Sequence, residues 1–123
     1  MTETATKNSK DSVYDLEDRT FKFANEVRKF VKEFPRNISN IEDIKQLVRS
    51  SGSVGANYIE ANESLSKRDF KHRIKICRKE SKESAYWLKI LITNNNEQFR
   101  KRGMELYNEV IELKKIFSSI LNK

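Results

Sequence analysis

The chain has 123 residues, a formal net charge of +7, and 35% charged and 37% hydrophobic residues. A chain of this length builds one domain around one core. Only three Gly and one Pro occur, so turn formers are scarce and the composition indicates an all-α protein. The single Cys and the absence of an apolar run of the signal-peptide kind predict a cytoplasmic protein. No segment reaches the roughly 18 apolar residues of a membrane span, so no membrane partner is expected.

The first third of the chain predicts a tail and one helix. Residues 1–12 are polar and aperiodic, which predicts a flexible N-terminal tail over residues 1–14. Apolar side chains then recur at helical spacing from Leu16 to Phe34, and this predicts a first helix over about residues 15–34. Pro35 ends it, because the residue before a proline is pushed out of the α region.

Three further helices follow at regular intervals. Asn40 is the expected N-cap of a second helix over residues 41–62, whose apolar stripe includes Ile59. Ser66 is the expected cap of a third helix over residues 67–93. The last run, over residues 97–121, has apolar or small residues spaced alternately by four and three, as in a helix that packs along its neighbours. The pattern predicts an antiparallel up-down-up-down four-helix bundle over residues 15–123.

The second helix contains an unusual stretch of small residues around Gly52 and Gly55. A glycine inside a helix costs about 1 kcal/mol relative to alanine, so a compensating contact is expected. Close approach of a neighbouring helix is one interpretation. A phosphate-cradling loop is the other, although no Gly-Lys-Ser/Thr follows and no strand precedes it. Small and polar residues on the predicted opposite side of this helix suggest contact with another helix or subunit, or a solvated face: Arg49, Ser53, Ala56, Asn57 and Glu60.

The third helix is the most basic part of the chain. Residues 67–93 hold nine Lys or Arg against three Asp or Glu. Seven of the nine fall within a sector of about 100° when each residue advances by about 100°. This stripe predicts sequence-independent contact with nucleic-acid phosphates, and the alternative is a solvated helix face. The seven residues are Arg68, Lys71, Lys75, Arg78, Lys79, Lys82 and Lys89.

A second apolar face on the third helix comprises Ile76, Trp87 and Ile90. Aromatic residues are enriched in the cores of interfaces, so this face predicts a subunit contact. The alternative is that Trp87 packs at the edge of the core of its own bundle.

Three segments carry a resemblance to a known family: RSSGSVGANYIEA over residues 49–61, SKRDF over 66–70 and YWLKIL over 86–91. They resemble the 23S rRNA intervening sequence proteins, in which an Arg-Ser-Ser run leads to Ala-Asn-Ile-Ala-Glu-Gly. The chain departs from that pattern at Tyr58, Ile59 and Ala61. The resemblance covers about residues 16–121 and matches the pattern at Arg49, Ser50, Ser51, Ser53, Ala56, Asn57 and Glu60.

The resemblance implies a four-helix bundle that assembles as a homopentamer with a positively charged surface. The family includes the accessory variability proteins of diversity-generating retroelements, which bind nucleic acid and a reverse transcriptase. RNA or DNA, and a reverse transcriptase or another protein, are therefore the expected partners of this chain.

No group of residues predicts catalysis, a metal or a cofactor. His72 is the single histidine and lies among basic residues, and no His-x-x-Glu pairing exists to build a di-iron site. Cys77 falls on the apolar stripe and is expected to act as a small buried hydrophobe. The sequence therefore predicts a non-enzymatic oligomeric protein that binds nucleic acid, and the alternative is a protein-protein adaptor without that binding.

Overall fold

Four α-helices make up the architecture of the protein. The computed structural model describes residues 8–123, with side-chain contacts from Leu16 onward. The described part contains no strand, so the expected all-α, four-helix class is confirmed. None of the helices in this part has the length and apolar character that crossing a membrane requires. The helices are α1 (Asn8–Val31), α2 (Ile38–Asn62), α3 (Lys67–Thr93) and α4 (Arg100–Leu121), and a short 3-10 helix (Glu97–Phe99) precedes α4.

Helix α1 starts earlier and stops sooner than its periodicity suggests. It begins at Asn8, so residues 8–14 of the expected tail are helical, and residues 1–7 lie outside the described residues. Neither Gly nor Pro occurs between Asn8 and Phe34, so nothing in the backbone opposes propagation of the helix. At the other end, the amide of Phe34 donates to the carbonyl of Val31 at 3.3 Å, a tightened turn before the proline.

The N-cap of α2 is Asn37, and the prediction of Asn40 is wrong. Asn37 has extended backbone, and its side-chain oxygen accepts a hydrogen bond from the amide of Asn40 at 2.9 Å. Asn40 is buried inside the first turn, and its Nδ2 donates to Pro35 O and Asn95 Oδ1, both at 2.9 Å. Asn95 donates in return to Asn40 Oδ1 at 3.0 Å. Asn40 therefore ties the start of α2 to the loop that follows α3.

The bounds of α3 coincide with those expected, and α4 begins with a different turn. The hydroxyl of Ser66 accepts a hydrogen bond from the amide of Asp69 at 3.1 Å, which caps α3. The segment expected to open the last helix forms the 3-10 turn instead. The apolar seam of the last helix faces the core, and its buried members are Phe99, Gly103, Leu106, Val110, Leu113 and Phe117.

Each helix packs against its neighbours through a few recognisable contacts. On α1, Thr20 lies against Gly55 of α2. Ser50 of α2 and Ser84 of α3 share a hydrogen bond of 2.8 Å between their hydroxyl groups. α1 and α4 are bridged by Arg19, whose Nη2 lies 2.9 Å from a carboxylate oxygen of Glu109.

The core is completed by aromatic rings at one end of the bundle. Phe34 stacks on Phe99 with ring centroids 4.0 Å apart, and Phe30 meets Phe34 edge-on at 4.9 Å. Ile59, which the periodicity places in the apolar stripe of α2, is instead 53% exposed. Its position lies at the margin of the stripe, where a small change in helix rotation moves a side chain from the core to the solvent.

Candidate nucleic-acid interface

Helix α3 has a buried apolar face and an exposed basic one. Ile74, Cys77 and Leu88 on the apolar face are fully buried. All seven predicted phosphate-contacting residues are exposed, and we call them the basic stripe: Arg68, Lys71, Lys75, Arg78, Lys79, Lys82 and Lys89. None of the seven forms an ion pair within the part of the chain whose side chains are described.

The carboxylates in the middle of α3 point away from the basic stripe, toward α2. Nη2 of Arg49 lies 2.6 Å from Glu83 Oε2 and 3.2 Å from Glu80 Oε1. Glu80 is only 7% exposed, so the nearby guanidinium of Arg49 compensates for the burial of its carboxylate. The expected contact of Arg49 with another helix therefore occurs, because its guanidinium reaches across the α2–α3 interface while half of its side chain stays exposed.

The contact with Arg49 also affects the protonation of Glu83. Burial acts to raise the pKa of Glu83, but hydrogen bonds from Arg49 and Trp87 outweigh it and hold the pKa below its ordinary value. The hydrogen bond to Glu83, and then the one to Glu80, raises the pKa of Arg49. Glu83 therefore stays ionised and engaged with Arg49, and the charge of Lys79 also helps to lower its pKa.

A second polar contact joins the same two helices nearer the end of α2. Arg73 of α3 donates from Nη1 to Asn57 Oδ1 at 2.9 Å. The side-chain Nδ2 of Asn57 in turn donates to the backbone carbonyl of Ser53 at 2.9 Å and to its hydroxyl at 3.0 Å. Asn57 thus also makes the expected contact with another helix, at the α2–α3 interface. Arg73 was not singled out from the sequence, and no local signal indicates a pairing between residues 16 positions apart.

The small residues of α2 serve two different contacts. A methyl group on Gly55 would lie 2.9 Å from Thr20 Oγ1 and 3.6 Å from its carbonyl carbon, so the expected close approach of a neighbouring helix occurs there. Gly52 instead lies under the guanidinium of Arg28, which would be 3.0 Å from such a methyl group. Of the remaining residues predicted for assembly on α2, Ala56 and Glu60 are exposed.

The second apolar face of α3 is only partly solvent-exposed. Trp87 is partly buried against the core of its own bundle, and its Nε1 donates to Glu83 Oε2 at 3.2 Å. Ile76 and Ile90 are also partly buried. The neighbouring Tyr86 is 58% exposed and meets the indole of Trp87 edge-on, with ring centroids 5.0 Å apart. Of the two interpretations of Trp87, this placement favours the edge of the core.

The described part of the chain brings together no group of three His, Cys, Asp or Glu side chains that could hold a metal ion. Cys77 is fully buried, and burial raises the pKa of its thiol to about 12. A thiol of that kind is a poor nucleophile near neutral pH. His72 is exposed. The residues whose geometry stands out are therefore those of the basic stripe and of the Arg49 contact behind it.

A family model and a solved structure are similar to the chain. The model described as 23S rRNA-intervening sequence protein matches residues 14–119. The solved structure is a protein with unknown function from the S23 ribosomal protein family of Bacteroides thetaiotaomicron VPI-5482. It is 29% identical in sequence, with a TM-score of 0.73, over 90% of this chain and 98% of that one. No curated protein matches the chain.

Proposed function

Because the chain belongs to the 23S rRNA-intervening sequence protein family, we propose that it is a non-enzymatic protein that binds the phosphate backbone of RNA or DNA. One observation carries the proposal: the seven cations of the basic stripe are exposed along one helix and form no ion pair with the described side chains. Contact with phosphates along such a stripe would be largely independent of base sequence.

The charge arrangement of α3 supports a polyanionic partner. Like charges one turn apart on a helix repel each other, and an exposed helix usually relieves this with interleaved carboxylates. Here the two carboxylates in the middle of α3, Glu80 and Glu83, are bound by Arg49. Glu83 still attracts Lys79, but no member of the stripe has an ion pair with a described side chain, so most of the repulsion persists until an anion binds. A nucleic-acid backbone supplies a row of anions.

The scaffold that we propose for this surface is an antiparallel up-down-up-down bundle in a cytoplasmic protein. Cross-helix contacts support the antiparallel order, because later residues of one helix meet earlier residues of the next. In α2 and α3, Ser50 bonds to Ser84 and Asn57 bonds to Arg73.

Assembly into a homo-oligomer, a pentamer by resemblance, is part of the proposal. Among the predicted assembly residues of α2, Ala56 and Glu60 are exposed and have no side-chain hydrogen bond or ion pair with another described residue. Ala56→Arg should reduce the mass measured by light scattering without loss of helix content. A monomeric unsubstituted protein would exclude this part of the proposal.

The test of the phosphate contact is a pair of charge-matched variants. The stripe variant replaces Lys71, Lys75, Arg78 and Lys82 by Glu, and the control replaces Lys22, Lys32, Lys101 and Lys115, all exposed on α1 and α4 or just beyond α1, by Glu. Both variants have the same net charge. Binding to a labelled structured RNA and to duplex DNA is measured across a salt series.

We expect the stripe variant to bind more than about 100-fold more weakly than the control, with the log-log salt slope reduced by about 0.9 for each lost contact to duplex phosphate. Equal losses in both variants would show that net charge, and not the stripe, causes binding.

The second candidate function is a protein-protein adaptor, in which the positive charge serves a protein partner such as a reverse transcriptase. Exposed large hydrophobic residues away from the basic stripe favour it, among them Phe21, which is 68% exposed, and Leu65, which is 98% exposed. Absence of nucleic-acid binding at low salt by the unsubstituted protein would leave this candidate in place of the first.

A further inference from the structure

One exposed aromatic side chain lies within the basic stripe. Successive residues of a helix advance by about 100°, which places Tyr86 about 40° from Lys82 and about 60° from Lys89 around the axis of α3. The three side chains are all exposed. Lys82 precedes the tyrosine by one helical turn and Lys89 follows it by nearly one, so a cation flanks the ring on either side along the helix.

The ring of Tyr86 packs against Trp87 on one side and is exposed to solvent elsewhere. Its edge-on contact with Trp87, at 5.0 Å between ring centroids and 76° between planes, gives it a fixed neighbour. Trp87 is itself held by the hydrogen bond from its Nε1 to Glu83, which Arg49 binds at 2.6 Å. The remaining 58% of Tyr86 is solvent-exposed, and its hydroxyl forms no hydrogen bond with another described residue.

This arrangement is suited to a nucleotide whose base is unpaired. An aromatic ring offers a stacking surface to any base, and flanking cations bind the phosphates on either side of that nucleotide. Lys82 and Lys89 lie about 6 Å and about 4.5 Å from Tyr86 along the helix axis, so long lysine side chains on both sides reach the same stretch of nucleic-acid backbone. In a duplex both faces of each internal base are already stacked, and the ring would meet only sugars and phosphates.

Resting on the proposed function, we infer that Tyr86 is a base-stacking residue of the basic stripe and that this face prefers single-stranded nucleic acid to duplex. The stripe supplies the salt-dependent part of the affinity. The tyrosine supplies a part of the affinity that requires the presence of a base, whichever base it is, and that is insensitive to salt.

The experiment compares three ligands with three variants of the full chain. The ligands are a single-stranded oligonucleotide, the same strand with abasic sites, and the matched duplex. The variants are Tyr86→Ala, Tyr86→Phe and, as a control, Phe21→Ala, which removes an exposed ring from α1. Phe21 is 68% exposed, so the control loses a side chain of similar accessibility. Helix content and melting temperature are recorded for each variant.

We expect Tyr86→Ala to bind the single strand about 5- to 100-fold more weakly, with an unchanged salt slope and with duplex binding within about twofold of the unsubstituted protein. Tyr86→Phe and Phe21→Ala should retain single-strand affinity. The abasic strand should bind the unsubstituted protein as weakly as the intact strand binds Tyr86→Ala.

Two failures are distinguishable. Salt-steep binding that Tyr86→Ala leaves unchanged, or weakens equally for duplex and single strand, overturns the stacking role while the proposed function stands. Absence of binding to every ligand at low salt overturns the proposed function, and the role of Tyr86 with it.

Discussion

Arg49 and Glu83 lie 2.6 Å apart across the interface between α2 and α3, and the same guanidinium lies 3.2 Å from the buried Glu80. One cation on α2 therefore holds both carboxylates in the middle of α3. This contact joins two helices and also affects the charge of the exposed face of α3, because it engages both acidic groups on the side of α3 that faces α2.

Removal of the arginine should cost stability. In Arg49→Met, two carboxylates lose their cation, and Glu80 is only 7% exposed. Half of the Arg49 side chain is exposed, which reduces the loss, and we expect unfolding in urea to become easier by about 1–3 kcal/mol. The matched control is Lys45→Met, which breaks an exposed pair of 3.7 Å with Glu42 and should change stability by less than about 0.5 kcal/mol. Equal effects of the two substitutions would contradict this assignment.

Glu83 should contribute to the loss of stability in acid. Its pKa in the folded protein is below the ordinary value of 4.5, so its contribution is complete above about pH 4.5 and is lost as pH falls through the folded value. Glu26, held low by hydrogen bonds from Arg102 and then Lys29, acts in the same direction. Melting temperature measured from pH 7 to pH 3 should fall less steeply in Glu83→Gln than in the unsubstituted protein.

The control for that measurement is Glu42→Gln, which alters an exposed carboxylate paired with Lys45. Its melting temperature should follow that of the unsubstituted protein as pH falls. If melting temperature falls equally steeply with decreasing pH in all three proteins, Glu83 does not contribute to the loss of stability in acid.

Gly103 should tolerate no side chain. A methyl group there would lie 2.5 Å from Ile92 Cγ1 and 3.2 Å from the ring of Phe30, so Gly103→Ala forces three packed helices to shift. Overpacking of this kind costs about 1–3 kcal/mol, against a gain in helix propensity of about 1 kcal/mol, and we expect a net loss. The nearest neighbour of a methyl group at Gly52 is the far end of the long Arg28 side chain, so Gly52→Ala should be neutral or stabilising. Chemical denaturation of both variants tests the difference, and a stabilised Gly103→Ala would contradict it.

Cys77 should be inert until the protein unfolds. With a thiol pKa of about 12 against an ordinary 9.0, the thiolate fraction at pH 8 is lower by about a thousandfold. Reaction with a thiol-specific disulfide reagent should be fast in denaturant and slow in its absence, at a rate that follows the opening of the core. Similar rates in the two conditions would show that Cys77 is accessible in the folded state.

The helix count, the cap at Ser66 and the buried seam of α4 followed from the sequence, because each depends on local pattern. The identity of the α2 cap did not. Asn37 and Asn40 are equally good capping residues, and only the bonds from Asn40 to Pro35 and Asn95 assign the second one to the interior. Those partners belong to other parts of the chain, which local propensity does not report.

In the candidate site too, some features could be predicted from the sequence and others could not. Exposure of the basic stripe could be predicted, because angular position on one helix decides it. A contact of Arg49 and Asn57 with another helix was also expected, but their partners on α3 could not be predicted, because these depend on how α3 packs on α2. Tyr86 shares the sector of the stripe, but its exposure of 58% becomes visible only when the packing of Trp87 is known.

Trp87 is the single tryptophan of the chain, and it lies between the packed interior and the basic stripe. Its indole contacts Glu83 on one side and the ring of Tyr86 on another. The emission of one native fluorophore thus reports on two events, the loosening of the bundle and the arrival of a ligand on α3. The protein needs no added label for either observation.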